Sequence, residues 1–382
     1  MMMRKKKQGR NAGLGFTLVE LMVSMAVGLI VLAAIAGLFK TGMQSTLTVT
    51  QRAETQQNMR AAIDLMVKDI TMAGAGLPSG GIQLPTGAGA ATSRFGCDQT
   101  GTCHVPNGSY PGTNYMYGII PGYLDGVEGN AVIPAAPAPA VNDSITVVYT
   151  DYNFPLNEYN MYFSSATSGA NVTLSVAPEY AANPPPGITC AGGINAGDLI
   201  MVSGGNLTAV GEVTNLTSTA TATTCGNGTA FTGTMTFAGG DPLNMNQDGA
   251  ASGNLKAIAK TLGTGTAATA YRIYVVTYYL SVPAAVGQTP RLMRQVNGLT
   301  PMPVADDIIN LQFAYDVYNS TTDALDSNEA NPLGVSESPN NIQKVNLVVM
   351  GQSIINNGNK SQNLYLATDV SARNMAFRNT YQ

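Results

Sequence analysis

The chain has no tryptophan, one histidine and few charged residues. With one histidine, His104, a hydrolytic triad has a single candidate base. Its place in a loop beside Cys103 reads as a solvated position. No glycine-rich phosphate loop stands ahead of a helix. Basic residues are scarcest in the body of the chain. Five of the 19, namely Arg4, Lys5, Lys6, Lys7 and Arg10, precede Gly15, which leaves 14 against 23 acidic residues and a net charge of −9 beyond that point. Phosphate binding needs a basic face, so the composition gives no support to a nucleic-acid partner. These absences argue against an enzyme and for a structural or interaction protein.

Cysteine is also sparse, but its number is even: Cys97, Cys103, Cys190 and Cys225. An even count beside an export-type N-terminus points to disulfides in an oxidising compartment. Three pairings exist. The shortest closures, Cys97–Cys103 and Cys190–Cys225, carry the smallest entropic cost and are the expected ones. Free buried thiols are the alternative. Zinc would need matched ligand spacing, and only His104 stands near a cysteine.

The N-terminus is where charge is missing altogether. Leu21–Phe39 reads LMVSMAVGLIVLAAIAGLF, 19 residues without a charge. That is close to the ~20 needed to cross a bilayer core as a helix. The positive cluster before it orients the span with the leader in the cytoplasm and the remainder outside. One residue breaks the pattern. Glu20 sits at the head of the apolar run, where an ionised carboxylate costs on the order of 3 kcal/mol at the centre of a span and less near an interface. It needs a partner. A cut after Gly15 would give Phe16 a free amine within about 6 Å of the level of Glu20 on the helix axis. A neighbouring helix's amine would serve as well and would fix register, the best-supported use of a buried ion pair.

Gly15-Phe16-Thr17-Leu18-Val19-Glu20-Leu21-Met22-Val23 resembles the class III signal of type IV pilins and of type II secretion pseudopilins. The resemblance implies cleavage between Gly15 and Phe16 by prepilin peptidase, methylation of the new amine on Phe16, and Glu20 as the assembly carboxylate. An ordinary secretory signal also has a basic start, an apolar core and a small-residue site, and Ala34-Ile35-Ala36 would supply the site. An ordinary core, however, is shorter and has no need of Glu20.

Helical periodicity continues past the membrane run in Met59, Ile63, Met66, Ile70 and Ala73, and Gly74-Ala75-Gly76-Leu77-Pro78 ends it. Residues 16–73 form one helix of roughly 85 Å if unbroken. Gly37, Gly42 and the Thr41–Thr50 stretch predict a weak or kinked middle. From Gly74 to about Ala140 the chain reads mostly as loop. Strands are expected at Ser144–Tyr149, Asn171–Val176, Leu199–Val202, Ala209–Val213, Phe231–Phe237, Tyr271–Val282, Ile308–Val317 and Val345–Met350. The fold class is α+β: a long N-terminal pilin helix, half in the membrane and half packed, on an antiparallel β-sheet head with long loops. The organisation is a leader at 1–15, a helix at 16–73 with 21–39 transmembrane, and an extracellular head at 74–382.

Segments of the head resemble the PilW-type minor pilins. They are Gln56-Gln57-Asn58-Met59-Arg60, Met72-Ala73-Gly74, Asn142-Asp143-Ser144-Ile145-Thr146-Val147, Thr277-Tyr278-Tyr279-Leu280, Leu292-Met293-Arg294, residues 304–312 and Ala372-Arg373-Asn374. Regions 80–135 and 180–270 are expanded and depart from the pattern. The resemblance implies a low-abundance subunit that helps prime type IV pilus assembly. Its partners would be major and minor pilins, prepilin peptidase and the inner-membrane assembly platform. It would sit as a single-pass inner-membrane protein with a periplasmic head, then in the pilus at the cell surface. The same N-terminus fits a minor pseudopilin of a type II secretion system. An anchored ectodomain with a binding or enzymatic role is the third reading.

No cofactor is implied, although one segment has the start of a calcium loop. Asp241, Asn244, Asn246 and Asp248 place oxygens on alternate positions before Gly249. The closing acid is missing, since Leu255 stands at the twelfth position from Asn244. Asp323, Asp326, Asn328 and Glu329 form a second acidic loop. A polar turn accounts for each.

Overall fold

The computed structural model describes residues 15–105, 114–126, 142–183, 192–218, 232–281, 290–333, 338–355 and 360–375, together with 185, 187, 188 and 190. Two compact units divide the chain between Glu54 and Thr55, with Ile354–Lys360 grouped with the first.

The first helix, α1, runs unbroken from Leu18 to Met72. The chain stays helical through the expected weak middle, with no melted section. Thr41, Thr46 and Thr48 donate their hydroxyls to the carbonyls of Gly37, Gly42 and Gln44 at 2.9–3.0 Å. These back-bonds satisfy the threonine hydroxyls within the helix, an arrangement that bends a helix more readily than it breaks one. Gly74 ends the helix at φ 76°, a conformation that favours glycine, and its N–H donates to the Val148 carbonyl.

In the first unit the large apolar residues of α1 face outward along the whole run from Leu18 to Phe39. This stretch is long and apolar enough to cross a membrane. In the second unit the helix buries Thr55, Met59, Ala62, Ile63, Met66, Asp69 and Ile70. This stripe has the i, i+3, i+4, i+7 spacing of one helix face.

The strands are β1 Ile82–Gln83, β2 Tyr115–Met116, β3 Ile119–Gly122, β4 Ser144–Thr150, β5 Tyr159–Ser165, β6 Ser168–Val176, β7 Leu199–Gly204, β8 Leu207–Glu212 and β9 Asn215–Ser218. There follow β10 Thr232–Thr236, a short helix α2 Leu255–Leu262, β11 Thr269–Ser281, β12 Arg291–Val296, β13 Met302–Asp306, β14 Ile308–Asn319, β15 Ala324–Glu329, β16 Ile342–Ile355 and β17 Lys360–Ser371. A seven-stranded sheet has the order β13-β12-β11-β4-β3, with β7 on β11 and β8 on β7. A four-stranded sheet has the order β15-β14-β16-β17, and a second the order β5-β6-β10-β9. The helix stripe shares one core with Ile145, Val147, Val276 and Tyr278 of the seven-stranded sheet and with Leu311, Val345, Leu347 and Val349 of the β14–β16 sheet. Each such apolar side chain contributes about 1.5–3 kcal/mol when fully buried.

Between β4 and its sheet neighbour β11 the chain builds a lobe with its own core, which includes Phe163, Val172, Leu174, Met235 and Ile258. The lobe's helix α2 is capped by Asn254, whose side chain accepts from Ala257 N–H at 2.9 Å.

The α+β class holds. The described part of segment 74–140 is mostly loop, as expected, with the short strands β1, β2 and β3 set in it. Ile82, Met116, Ile119 and Ile120 are buried there in runs too short to read as strands. Strands β5, β9, β12, β13, β15 and β17 and helix α2 were not expected. The expected strand ends Phe231 and Val282 lie outside the described residues.

Candidate functional site

Gly15, Phe16 and Thr17 precede the first helical turn. Thr17 Oγ1 accepts from Glu20 N–H at 3.3 Å, while Glu20 Oε2 accepts from Thr17 N–H at 3.5 Å. This is a reciprocal capping box of the T-x-x-E kind. It holds the Glu20 carboxylate at the positive end of the helix dipole. Sequence reasoning missed Thr17, although that spacing makes it legible. Ser24 donates its hydroxyl to Leu21 O at 2.9 Å, which satisfies a polar group inside the apolar run. At Gly28, Gly37 and Gly42 an added Cβ would meet no atom within 4 Å, so nothing in the chain's own packing requires glycine there.

In the second unit, Asp69 lies on the buried stripe of α1 with its side chain 4 % exposed. Its carboxylate accepts from Arg294 Nε at 2.8 Å, from Tyr278 OH at 2.5 Å and from Tyr149 OH at 3.1 Å. One helix residue is thereby fastened to β12, β11 and β4. Burial and the adjacent Asp69 charge push the Tyr278 and Tyr149 hydroxyls well above the ordinary tyrosine value. Burial would lower Arg294, but its bond to Asp69 outweighs this and raises it.

A second clamp joins β14 to the segment before β4. Strand β15 covers β14 only from Tyr315 to Asn319. Farther back, Leu311 N–H donates to Asn142 Oδ1 at 2.8 Å and Phe313 N–H to Asp143 Oδ2 at 3.0 Å. Asp143 Oδ1 also accepts from Leu124 N–H at 2.8 Å. Burial raises the Asp143 carboxyl despite these donors. The Asn142-Asp143 and 304–312 segments are therefore two halves of one contact.

Cys97 and Cys103 are disulfide-bonded. Cys190 is also disulfide-bonded, and Cys225 lies outside the described residues. Within the small ring, Asp98 accepts from Thr100 N–H at 2.9 Å and Thr102 N–H at 3.0 Å. Burial would raise the Asp98 carboxyl, but the bonds from Thr100, Thr102 and His104 together hold it below its usual value. His104 is not a solvated loop residue. Its side chain is 14 % exposed, with Nε2 3.1 Å from Asp98 and the ring stacked on Tyr279 at 5.9 Å.

The calcium-like residues point different ways. Asp241 accepts from Met245 and Asn246 N–H, and Asp248 from Gly169 N–H and Ser168 Oγ. Asn244 donates to Thr92 O, and Asn246 to the carbonyls of Glu212 and Ala238. In the second acidic loop, Asp323 accepts from Tyr318 OH and Asp326 from Asn319. No group of three or more His, Cys, Asp or Glu side chains is placed to hold a metal among the described residues.

Residues 10–36 match the family model described as the prokaryotic N-terminal methylation motif. No curated protein and no solved structure matches the chain.

Proposed function

We propose that this protein is a minor pilin that enters or primes a type IV pilus through its N-terminal helix. The methylation motif followed by the outward-facing apolar helix supports a type IV pilin-like protein, and this pairing carries the reading. The motif implies processing by prepilin peptidase and assembly with other pilins generally.

In this reading the peptide bond between Gly15 and Phe16 is cut, and the new amine on Phe16 is methylated. Before assembly the helix sits in the inner membrane with the head in the periplasm. Glu20 then exchanges its capping contacts with Thr17 for the amine of a neighbouring subunit. The lipid-facing cost of its charge falls when that ion pair forms. Gly28 and Gly37, which the chain's own packing leaves open, allow another helix to come close. The Asp69 clamp makes the second half of the helix one body with the sheet.

The mass of the mature N-terminus tests this. A chain beginning at N-methylated Phe16 is the expected result. An intact leader, or a start at Gly37, overturns it. Deletion separates pilus from secretion: loss of surface pili supports the minor pilin, and loss of protein export with pili intact supports a pseudopilin.

A further inference from the structure

The 241–248 turn, the end of β8 and the disulfide ring meet around two buried carboxyl groups. Glu212, the last residue of β8, is 1 % exposed and Asp241 is 4 % exposed. Gln99, inside the Cys97–Cys103 ring, donates Nε2 to Glu212 Oε1 at 2.9 Å. Asn246 binds the backbone of Glu212 twice, accepting from its N–H at 2.9 Å and donating to its carbonyl at 2.7 Å. Asn246 N–H in turn donates to Asp241 at 3.0 Å. The other carboxyl oxygen, Glu212 Oε2, is buried and meets no donor at hydrogen-bond geometry among the described residues, and the side-chain carboxyl that interacts with Glu212 is that of Asp241.

Among the described residues no ion pair joins a cation to Glu212 or Asp241, and Arg94 meets the turn through its backbone N–H, which donates to the Leu243 carbonyl at 2.9 Å. The β7 residue opposite Glu212 is Leu199. Asp98 of the ring is paired with His104, the residue that follows the ring. Asp248 is held by Ser168 and Gly169, and Asp198 accepts from Arg272. The charged group acting on Glu212 is Asp241. Two ionised carboxylates in such a place would repel in a medium of low dielectric, and one proton between them removes the conflict. The N–H groups aimed at both residues suit that arrangement and would oppose a metal ion.

We propose that Glu212 holds a proton shared with Asp241, and that this proton is a pH-sensitive lock fastening the disulfide ring to the 241–248 turn. Burial raises the Glu212 carboxyl, against the bond from Gln99, and the Asp241 charge adds to it, to about 7 from the ordinary 4.5. The folded state therefore binds the proton more tightly than the unfolded chain. The lock is at full strength below 4.5 and is lost as pH rises through about 7.

Hydrogen exchange on the full-length chain in detergent, corrected for intrinsic rates, tests this. Protection of the 97–104 ring and the 241–248 turn falls on the order of fiftyfold between about pH 5 and pH 8. Glu212→Gln, a neutral isostere of the protonated acid, removes that dependence. The infrared band of a protonated carboxylic acid is present in the wild type near pH 6 and absent in Glu212→Gln. Equal pH dependence in both proteins overturns the proposal. So does absence of the band, or protection that a metal chelator removes and pH does not.

Discussion

Replacing Asp69 by alanine removes the one acceptor on which Arg294, Tyr278 and Tyr149 converge. Breaking a buried ion pair from one side costs roughly 3–5 kcal/mol, because the remaining charge stays buried and unpaired. Arg294 is 25 % exposed, so solvent recovers part of that loss. Its contact with Tyr278 OH at 3.1 Å also survives. The expected destabilisation is about 2–3 kcal/mol. The double variant Asp69→Ala with Arg294→Met removes the stranded charge and recovers at least about 1 kcal/mol of it, because much of the single variant's cost is the guanidinium left unpaired. Urea unfolding of the detergent-solubilised chain measures both single variants and the double one, and the cycle isolates the coupling. A cost below about 0.5 kcal/mol for Asp69→Ala, or strictly additive single variants, refutes the clamp.

Glu20→Ala should insert in the membrane normally and fail to enter the filament, scored as membrane-retained against sheared-surface protein. Normal incorporation would show that the carboxylate has no assembly role. Cys97→Ser with Cys103→Ser should cost about 2 kcal/mol, the chain-entropy value for so short a loop. A thermal melt unchanged by the double substitution would argue against it.

The long apolar helix was legible because its signal needs no partner: 19 residues without charge state it outright. Central strands were legible for a related reason. Strand β4 is buried on both faces and reads as Ser-Ile-Thr-Val-Val-Tyr-Thr. Strand β15 was not legible, since Ala-Leu-Asp-Ser-Asn-Glu is largely exposed at a sheet edge, where polar residues guard against stray pairing. Strand β12 was obscured by Arg291 and Arg294, whose partners Asp306 and Asp69 are set by the fold. The same reason hid Asp69. On a helix, one acid among apolar positions resembles ordinary surface charge, and its cation lies 225 residues away. Glu20 differs because its T-x-x-E partner is local and its cost in lipid is visible from position alone. Asn142 and Asp143 could be noticed as a resemblance, but their work depends on where β15 stops.

The lobe inserted between β4 and β11 bears on how the chain reaches its fold. These strands pair from Thr150 with Ile273 to Ile145 with Tyr278. Closing a loop of roughly 120 unstructured residues costs about 4 kcal/mol in chain entropy before any rung of the ladder forms. The lobe lowers that cost, because its hairpins β5–β6 and β7–β8 are local and have their own core. Once they condense, the ends of β4 and β11 are joined by a compact body instead of a free coil. The topology thus sets local hairpins between two strands that must meet across a long stretch of sequence, and one of them, β7–β8, carries on into the central sheet through the pairing of β7 with β11. The Asp69 clamp takes its partners from both sides of that insertion, Tyr149 of β4 before it and Tyr278 and Arg294 of β11 and β12 after it, so it is complete only where the two stretches have been brought together.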